Sequence, residues 1–261
     1  MTCIEVESGI AVFVQDWGSG KPIMFIHGFP FSHRIFEYQM VALAQQGYRA
    51  IGIDLRGFGQ SDKPWNGNDY DTWVSDIRQV IEALDLRDVT LVGFSMGGAI
   101  TAHYAATQND ARVTQLVLLG AAAPIAAPQP EDKNQIEGFI QAILTDPANF
   151  AHNFVQQAFY QPLSPELLRF LAEMGTAVSL RTLVRAQEEL RDRNLVPEMS
   201  NIQIPTLICH GVHDKVVPIA AGEAQQQLIK DAQLMRFEES GHGLFYEEKD
   251  RLTQALLSFV S

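Results

Sequence analysis

Val89-Thr-Leu-Val-Gly-Phe-Ser-Met-Gly-Gly98 is an apolar strand running straight into G-x-S-x-G, with a helical pattern behind it. That context gives the motif its meaning: a serine on a strand-to-helix turn too tight for bulky flanking residues, hence Gly93 and Gly97. The turn pushes the hydroxyl of Ser95 out over the sheet edge. The helix start behind it offers backbone N–H groups and the positive end of a dipole. Ser95 is therefore the candidate nucleophile.

A serine hydroxyl is a weak nucleophile until a base takes its proton. In a strand–elbow–helix setting the chain order to look for is Ser, then an acid, then His. His242, in Glu239-Ser-Gly-His-Gly-Leu244, follows the apolar run ending at Phe237. Asp214, in His210-Gly-Val-His-Asp-Lys-Val-Val-Pro218, follows another. Its carboxylate would hold the imidazole in the right tautomer and stabilise the imidazolium. The alternative acid position, after the run ending at Leu119, reads Gly120-Ala-Ala-Ala-Pro124 and offers no carboxylate before Glu131. Acyl transfer also needs donors for a developing oxyanion, each worth ~3 kcal/mol. The N–H of Met96 is one. The other is assigned to Phe29 in His27-Gly-Phe-Pro30, where Gly28 permits close approach.

The elbow strand has company. Pro22–His27, Ala50–Asp54, Val113–Leu119, Thr206–His210 and Gln233–Phe237 are near-continuous apolar runs, as in parallel strands covered on both faces. Trp73, Ile77, Val80, Ile81 and Leu84 share a helix face, as do Leu252, Leu256 and Phe259. Alternating strands and helices predict an α/β fold, a mostly parallel sheet with helices on both faces. From Pro124 to Leu195 no strand is legible. Pro124, Pro128 and Pro130 open the stretch, and Ile136–Leu144 and Leu167–Met174 read as helices. The division expected is a core of residues 1–123 and 196–261 with a helical cap over 124–195.

The 261 residues carry a net charge of −12, which argues against nucleic acid and anionic membrane as partners. Cys3 and Cys209 have neither metal-ligand spacing nor a disulfide framework. The N-terminus lacks the apolar core of a signal peptide, and no apolar run is long enough to span a bilayer. The default expectation is a cytoplasmic protein with free thiols, with homo-oligomer formation left open. The six histidines besides His242 form no H-E-x-x-H or similar set, so no metal and no cofactor are expected, and chelators should not inhibit. His27 is expected to hydrogen-bond structural turns, and His210 and His213 to order the acid loop.

Together His27-Gly-Phe-Pro30, Asp54-Leu-Arg-Gly-Phe-Gly-Gln-Ser61, Asn68-Asp-Tyr-Asp71, Glu82-Ala-Leu-Asp-Leu86, Leu91–Gly98 and Val216-Val-Pro218 resemble the α/β-hydrolase superfamily over the whole chain. The likeness is to its cofactor-free haloperoxidases, perhydrolases and small bacterial esterases. The resemblance implies the same roles for Ser95, Asp214, His242, Phe29 and Met96. Many of that group carry Trp where this chain has Phe29. A proline after the oxyanion residue, here Pro30, is linked within the group to peracid chemistry. The Asp54–Pro64 segment is also similar to epoxide hydrolases and haloalkane dehalogenases, whose carboxylate nucleophile Ser95 excludes. The expected function is hydrolysis of small to medium carboxylic esters through an acyl-enzyme. The alternatives are perhydrolase or haloperoxidase activity, C–C bond hydrolysis, and a receptor that captures a ligand without turnover. Gly28, Phe31, Val217 and Leu244 are expected to line an apolar substrate pocket, with cap aromatics such as Phe139, Phe150, Phe154, Phe159 and Tyr160 nearby.

Overall fold

A computed structural model describes residues 2–122 and 130–261. Eight strands form one sheet: β1 (Thr2–Glu7), β2 (Ile10–Gly18), β3 (Pro22–Ile26), β4 (Arg49–Ile53), β5 (Val89–Phe94), β6 (Val113–Leu119), β7 (Thr206–Gly211) and β8 (Gln233–Phe237), in spatial order β1-β2-β4-β3-β5-β6-β7-β8. The six expected strands are β3 to β8, each within one residue of its expected bounds, and they pair in parallel. The antiparallel pair β1–β2, turning at Gly9 with φ +75°, and its antiparallel junction with β4 were not anticipated. β1 is mostly exposed and buries only Ile4 fully, so it carries little apolar signal.

The helices are α1 (Glu37–Gln45), α2 (Tyr70–Ala83), α3 (Met96–Thr107), α4 (Pro130–Thr145), α5 (Pro147–Ala158), α6 (Pro165–Thr176), α7 (Leu180–Asp192), α8 (Val196–Met199), α9 (Ile219–Leu228), α10 (Leu244–Glu247) and α11 (Lys249–Val260). Alternate strand residues feed two cores, as the two-residue period of a strand requires. Met24, Ile26, Ile51, Leu91 and Leu118 pack with Trp73, Ile77 and Ile81 of α2 and Ile100 of α3. Ile23, Phe25, Val92, Phe94 and Leu119 pack with Met40 and Leu43 of α1 and Leu252 and Leu256 of α11. The sheet is thus covered on both faces, which is why its central strands carry no polar face.

Between β6 and β7 the described residues hold only helices, α4 to α8. The local reasons lie in their first turns. Asp146, Ser164 and Ser179 each accept an N–H of the turn they cap, and Pro147 and Pro165 follow two of these caps, where a missing N–H costs nothing. α4 packs on α7, and α5 on α6. Pro124, Pro128 and the expected boundary at 123/124 lie outside the described residues. Among the described residues no helix is long and apolar enough to cross a membrane.

Candidate active site

Ser95 sits between β5 and α3 at φ 53°, ψ −120°, a region side chains with a Cβ seldom occupy. Its N–H donates to the Leu119 carbonyl on β6 (2.9 Å) and its carbonyl receives Ala99 N–H (3.1 Å) and Ala122 N–H (2.9 Å), which hold the strained residue in place. A Cβ at Gly97 would run into the Ile26 and His27 carbonyls, and one at Gly28 would lie 2.7 Å from Ser95 Cβ. The glycines therefore let α3 close on the end of β3 and bring the 27–30 loop against the serine. Among the described residues, neither the Phe29 nor the Met96 N–H is taken by another backbone carbonyl.

His242, fully buried in the loop between β8 and α10, places Nε2 2.9 Å from Ser95 Oγ and Nδ1 2.7 Å from Asp214 Oδ2. The second carboxylate oxygen, Oδ1, accepts the N–H groups of Val216 and Val217, both at 2.8 Å. With one oxygen held by two amides, the other is left to the imidazole. The Nδ1–H tautomer follows, with the Nε2 lone pair facing the hydroxyl. His210 reinforces the same loop: its Nε2 donates to the Val217 carbonyl (2.8 Å) and lies 3.5 Å from Asp214 Oδ2. Burial lowers the His210 pKa, against the pull of the Val217 carbonyl and the Asp214 charge, and favours the neutral ring. Its Nδ1 is buried without a partner among the described residues.

His27 braces the opposite wall. Its Nδ1–H donates to the Gly28 carbonyl (2.9 Å) and Nε2 accepts Leu55 N–H (3.0 Å), tying the 27–30 loop to the end of β4. Burial brings its pKa from 6.5 down to about 4, outweighing the nearby Asp54 charge. The folded protein thus stays unprotonated here where the unfolded chain takes up a proton. Stability from this group is complete above pH 6.5 and is lost as the pH falls towards about 4, by about 3 kcal/mol in total. Replacing His27 with Gln should flatten the unfolding free energy against pH by close to one proton between pH 6.5 and 4.5. Parallel slopes for both proteins in denaturant titrations would refute this.

The structure thus brings together Ser95, His242, Asp214, Gly28, Phe29, Met96 and Val217. Phe31 and Leu244, expected at the pocket, are buried in the core that includes Phe94 and Phe245. Phe150 and Phe154 of α5 instead meet Phe29 edge-on, with centroids 6.1 and 5.9 Å away. Gly120 was missed as a site residue. It has φ +47°, and a Cβ there would lie 3.3 Å from His242 Nδ1 and 3.4 Å from Asp214 Oδ2. Its place at the end of β6, beside the elbow strand, was the available signal. A groove of about 770 Å³ lined by residues of α1, α6 and α11 includes none of this cluster. Among the described residues no three His, Cys, Asp or Glu side chains converge as metal ligands.

The arrangement can activate a hydroxyl for attack on a carbonyl. Residues 21–249 match the alpha/beta hydrolase fold family. The chain is 40% identical to the AB hydrolase superfamily protein YisY of Bacillus subtilis, over 98% of this chain and 97% of that protein. It is 32% identical to a non-heme haloperoxidase of Rhodococcus erythropolis, over 100% and 99% of the two chains. Among solved structures it superposes on the esterase EaEST from Exiguobacterium antarcticum with a TM-score of 0.95 and 36% identity, covering 99% of this chain and 98% of that one.

Proposed function

This chain belongs to the α/β-hydrolase family, and from that premise we propose that it is a serine esterase of small to medium carboxylic esters. The observation that carries the reading is the hydrogen-bonded line Asp214–His242–Ser95 ending on a strained, elbow-mounted hydroxyl. His242 Nε2 takes the Ser95 proton as Oγ attacks the ester carbonyl. The N–H groups of Phe29 and Met96 receive the oxyanion. The imidazolium, steadied by Asp214, passes its proton to the leaving alkoxide, and the acyl group stays on Ser95. Water, deprotonated by His242, then releases the acid. The α4–α7 helices act as a cap, with Phe150 and Phe154 supplying apolar surface next to Phe29. The test is a panel of p-nitrophenyl esters of graded chain length. Turnover on the short and medium members, falling for long chains, is expected. A folded protein inactive on all of them would contradict the reading.

A second reading has its own support in Phe29-Pro30 and in the likeness to a haloperoxidase. Pro30 restricts the backbone of Phe29, and its ring packs close to Gly175 of α6: a Cβ on that glycine would lie 3.0 Å from Pro30 Cγ. On this reading the Phe29 carbonyl accepts a hydrogen bond from peroxide. Peroxide attacking the acyl-enzyme gives a peracid and regenerates the Ser95 hydroxyl, with the proton relayed through His242. Pro30→Leu should shift partition of the acyl group from peroxide towards water. Identical partition in both proteins would leave the plain esterase.

A further inference from the structure

One turn among the helices between β6 and β7 lies directly against the candidate base. Ala158 ends α5, and Phe159-Tyr160-Gln161 leads away from it. The Ala158 carbonyl accepts the backbone N–H of His242 (2.7 Å). Glu247, at the end of α10, reaches across the same seam. Its Oε1 accepts the N–H groups of Tyr160 and Gln161, both at 2.7 Å, and its Oε2 accepts the N–H of Gly241 at 2.8 Å. One carboxylate therefore spans the turn and the residue next to His242. The fit is close: a Cβ on Gly241 would lie 2.8 Å from Tyr160 N and 2.9 Å from the Ala158 carbonyl oxygen. On the other side, the Tyr160 ring lies flat on that of His213, 3.8 Å between centroids, one residue before Asp214.

The chemistry of this seam calls for an acceptor with no hydrogens. Three amide donors converge on Glu247, and it has no cationic partner among the described residues, so its charge is met by N–H groups alone. An amide in its place would set its own N–H against one of them. The neighbouring Glu248 makes an instructive contrast. It accepts Glu239 N–H (3.1 Å) and the Ser240 hydroxyl (2.7 Å) and pairs with Arg251 (2.9 Å), bracing the same loop without a bond to the inserted helices.

We propose that Glu247 is a positioning residue for His242: its carboxylate fastens the 239–242 loop to the 158–161 turn, so that the inserted helices set the distance from imidazole to Ser95. The proposal rests on the reading of His242 as the base. Misplacement of a reacting group by about an ångström costs about 10²-fold in rate, and loss of one end of the clamp allows movement on that scale.

The test compares wild type, E247Q, E247D and D250N as purified full chains, below their unfolding temperatures. One readout is steady-state hydrolysis of p-nitrophenyl acetate. The other is the rate of covalent phosphorylation by diethyl p-nitrophenyl phosphate, which reports the attack step alone. E247Q should lose roughly ten- to a hundredfold in kcat, with KM changed less than about threefold, and its phosphorylation rate should fall in proportion. E247D, an acceptor-only group on a shorter arm, should fall between, and it carries the test should E247Q not fold. D250N, at an exposed position at the start of α11, should stay within about threefold of wild type in kcat. A folded E247Q with a lowered unfolding temperature but wild-type kcat and phosphorylation rate would make Glu247 a brace only and overturn the proposal. A wild type that neither turns over nor becomes phosphorylated would refute instead the catalytic reading beneath it.

Discussion

Ser95→Ala should lower kcat/KM for ester hydrolysis by roughly 10⁵-fold and leave the fold intact. The size follows from what is removed. Without Oγ no acyl-enzyme forms, and the remaining donors and base offer only the residual catalysis of a bound water. The intact fold follows from what stays. Ser95 is held by its backbone, through Leu119, Ala99 and Ala122, and alanine retains all three bonds. The one side-chain bond lost, to His242 Nε2 at 2.9 Å, leaves a buried acceptor unpaired, a cost of about 1–3 kcal/mol offset by the small size of alanine at a crowded turn. The check is kcat/KM together with a thermal unfolding curve. A folded variant within tenfold of wild type would remove Ser95 from the mechanism.

Asp214→Asn should be slower than wild type by about 10⁴-fold, for a reason legible in the hydrogen bonds. Oδ1 accepts two N–H groups, from Val216 and Val217, so the asparagine carbonyl must take that position. Its NH₂ then occupies the Oδ2 site, 2.7 Å from His242 Nδ1, where it can only donate. The imidazole would be driven to the Nε2–H tautomer, which presents a hydrogen to Ser95 where a lone pair is needed. The variant should therefore fold and bind ester with nearly unchanged KM while kcat collapses. Comparable activity in Asp214→Asn and wild type would refute the assignment of the acid.

Much of this was legible in the sequence because it is local. The elbow needs only Gly93 to Gly98 and an apolar strand before it. The acid and base follow from chain order and strand ends. β3 to β7 were visible because burial on both faces leaves them largely apolar, while β8, at the sheet edge, keeps exposed Gln233 and Arg236 beside Leu234, Met235 and Phe237. What escaped notice depends on contacts distant in sequence or on weak patterns. β1 buries only Ile4, and β2 buries the short run Val12 to Val14 between half-buried flanks, so neither shows a long apolar run or a clear alternation. Phe31 and Leu244 neighbour the motifs in sequence, but their packing with Phe94 and Phe245 depends on the fold. Gly120 carries no chemistry of its own, and only the packing of β6 beside His242 gives its bare Cα a purpose. Glu247 reads as one acid in Tyr246-Glu-Glu-Lys249 until the fold brings Tyr160 and Gln161, 87 and 86 residues away, to its carboxylate.

The chemistry proposed for Ser95 turns on one covalent bond, between its Oγ and the acyl group of an ester. Its most direct test is to mix the protein with p-nitrophenyl acetate, quench within the first turnover in acid, digest, and locate the added acetyl group by mass spectrometry. The acetyl group is predicted on Ser95, in stoichiometric amount in wild type and absent in Ser95→Ala. Acetylation confined to another residue, or rapid turnover by the wild type with no acetyl-Ser95 at any quench time, would contradict it.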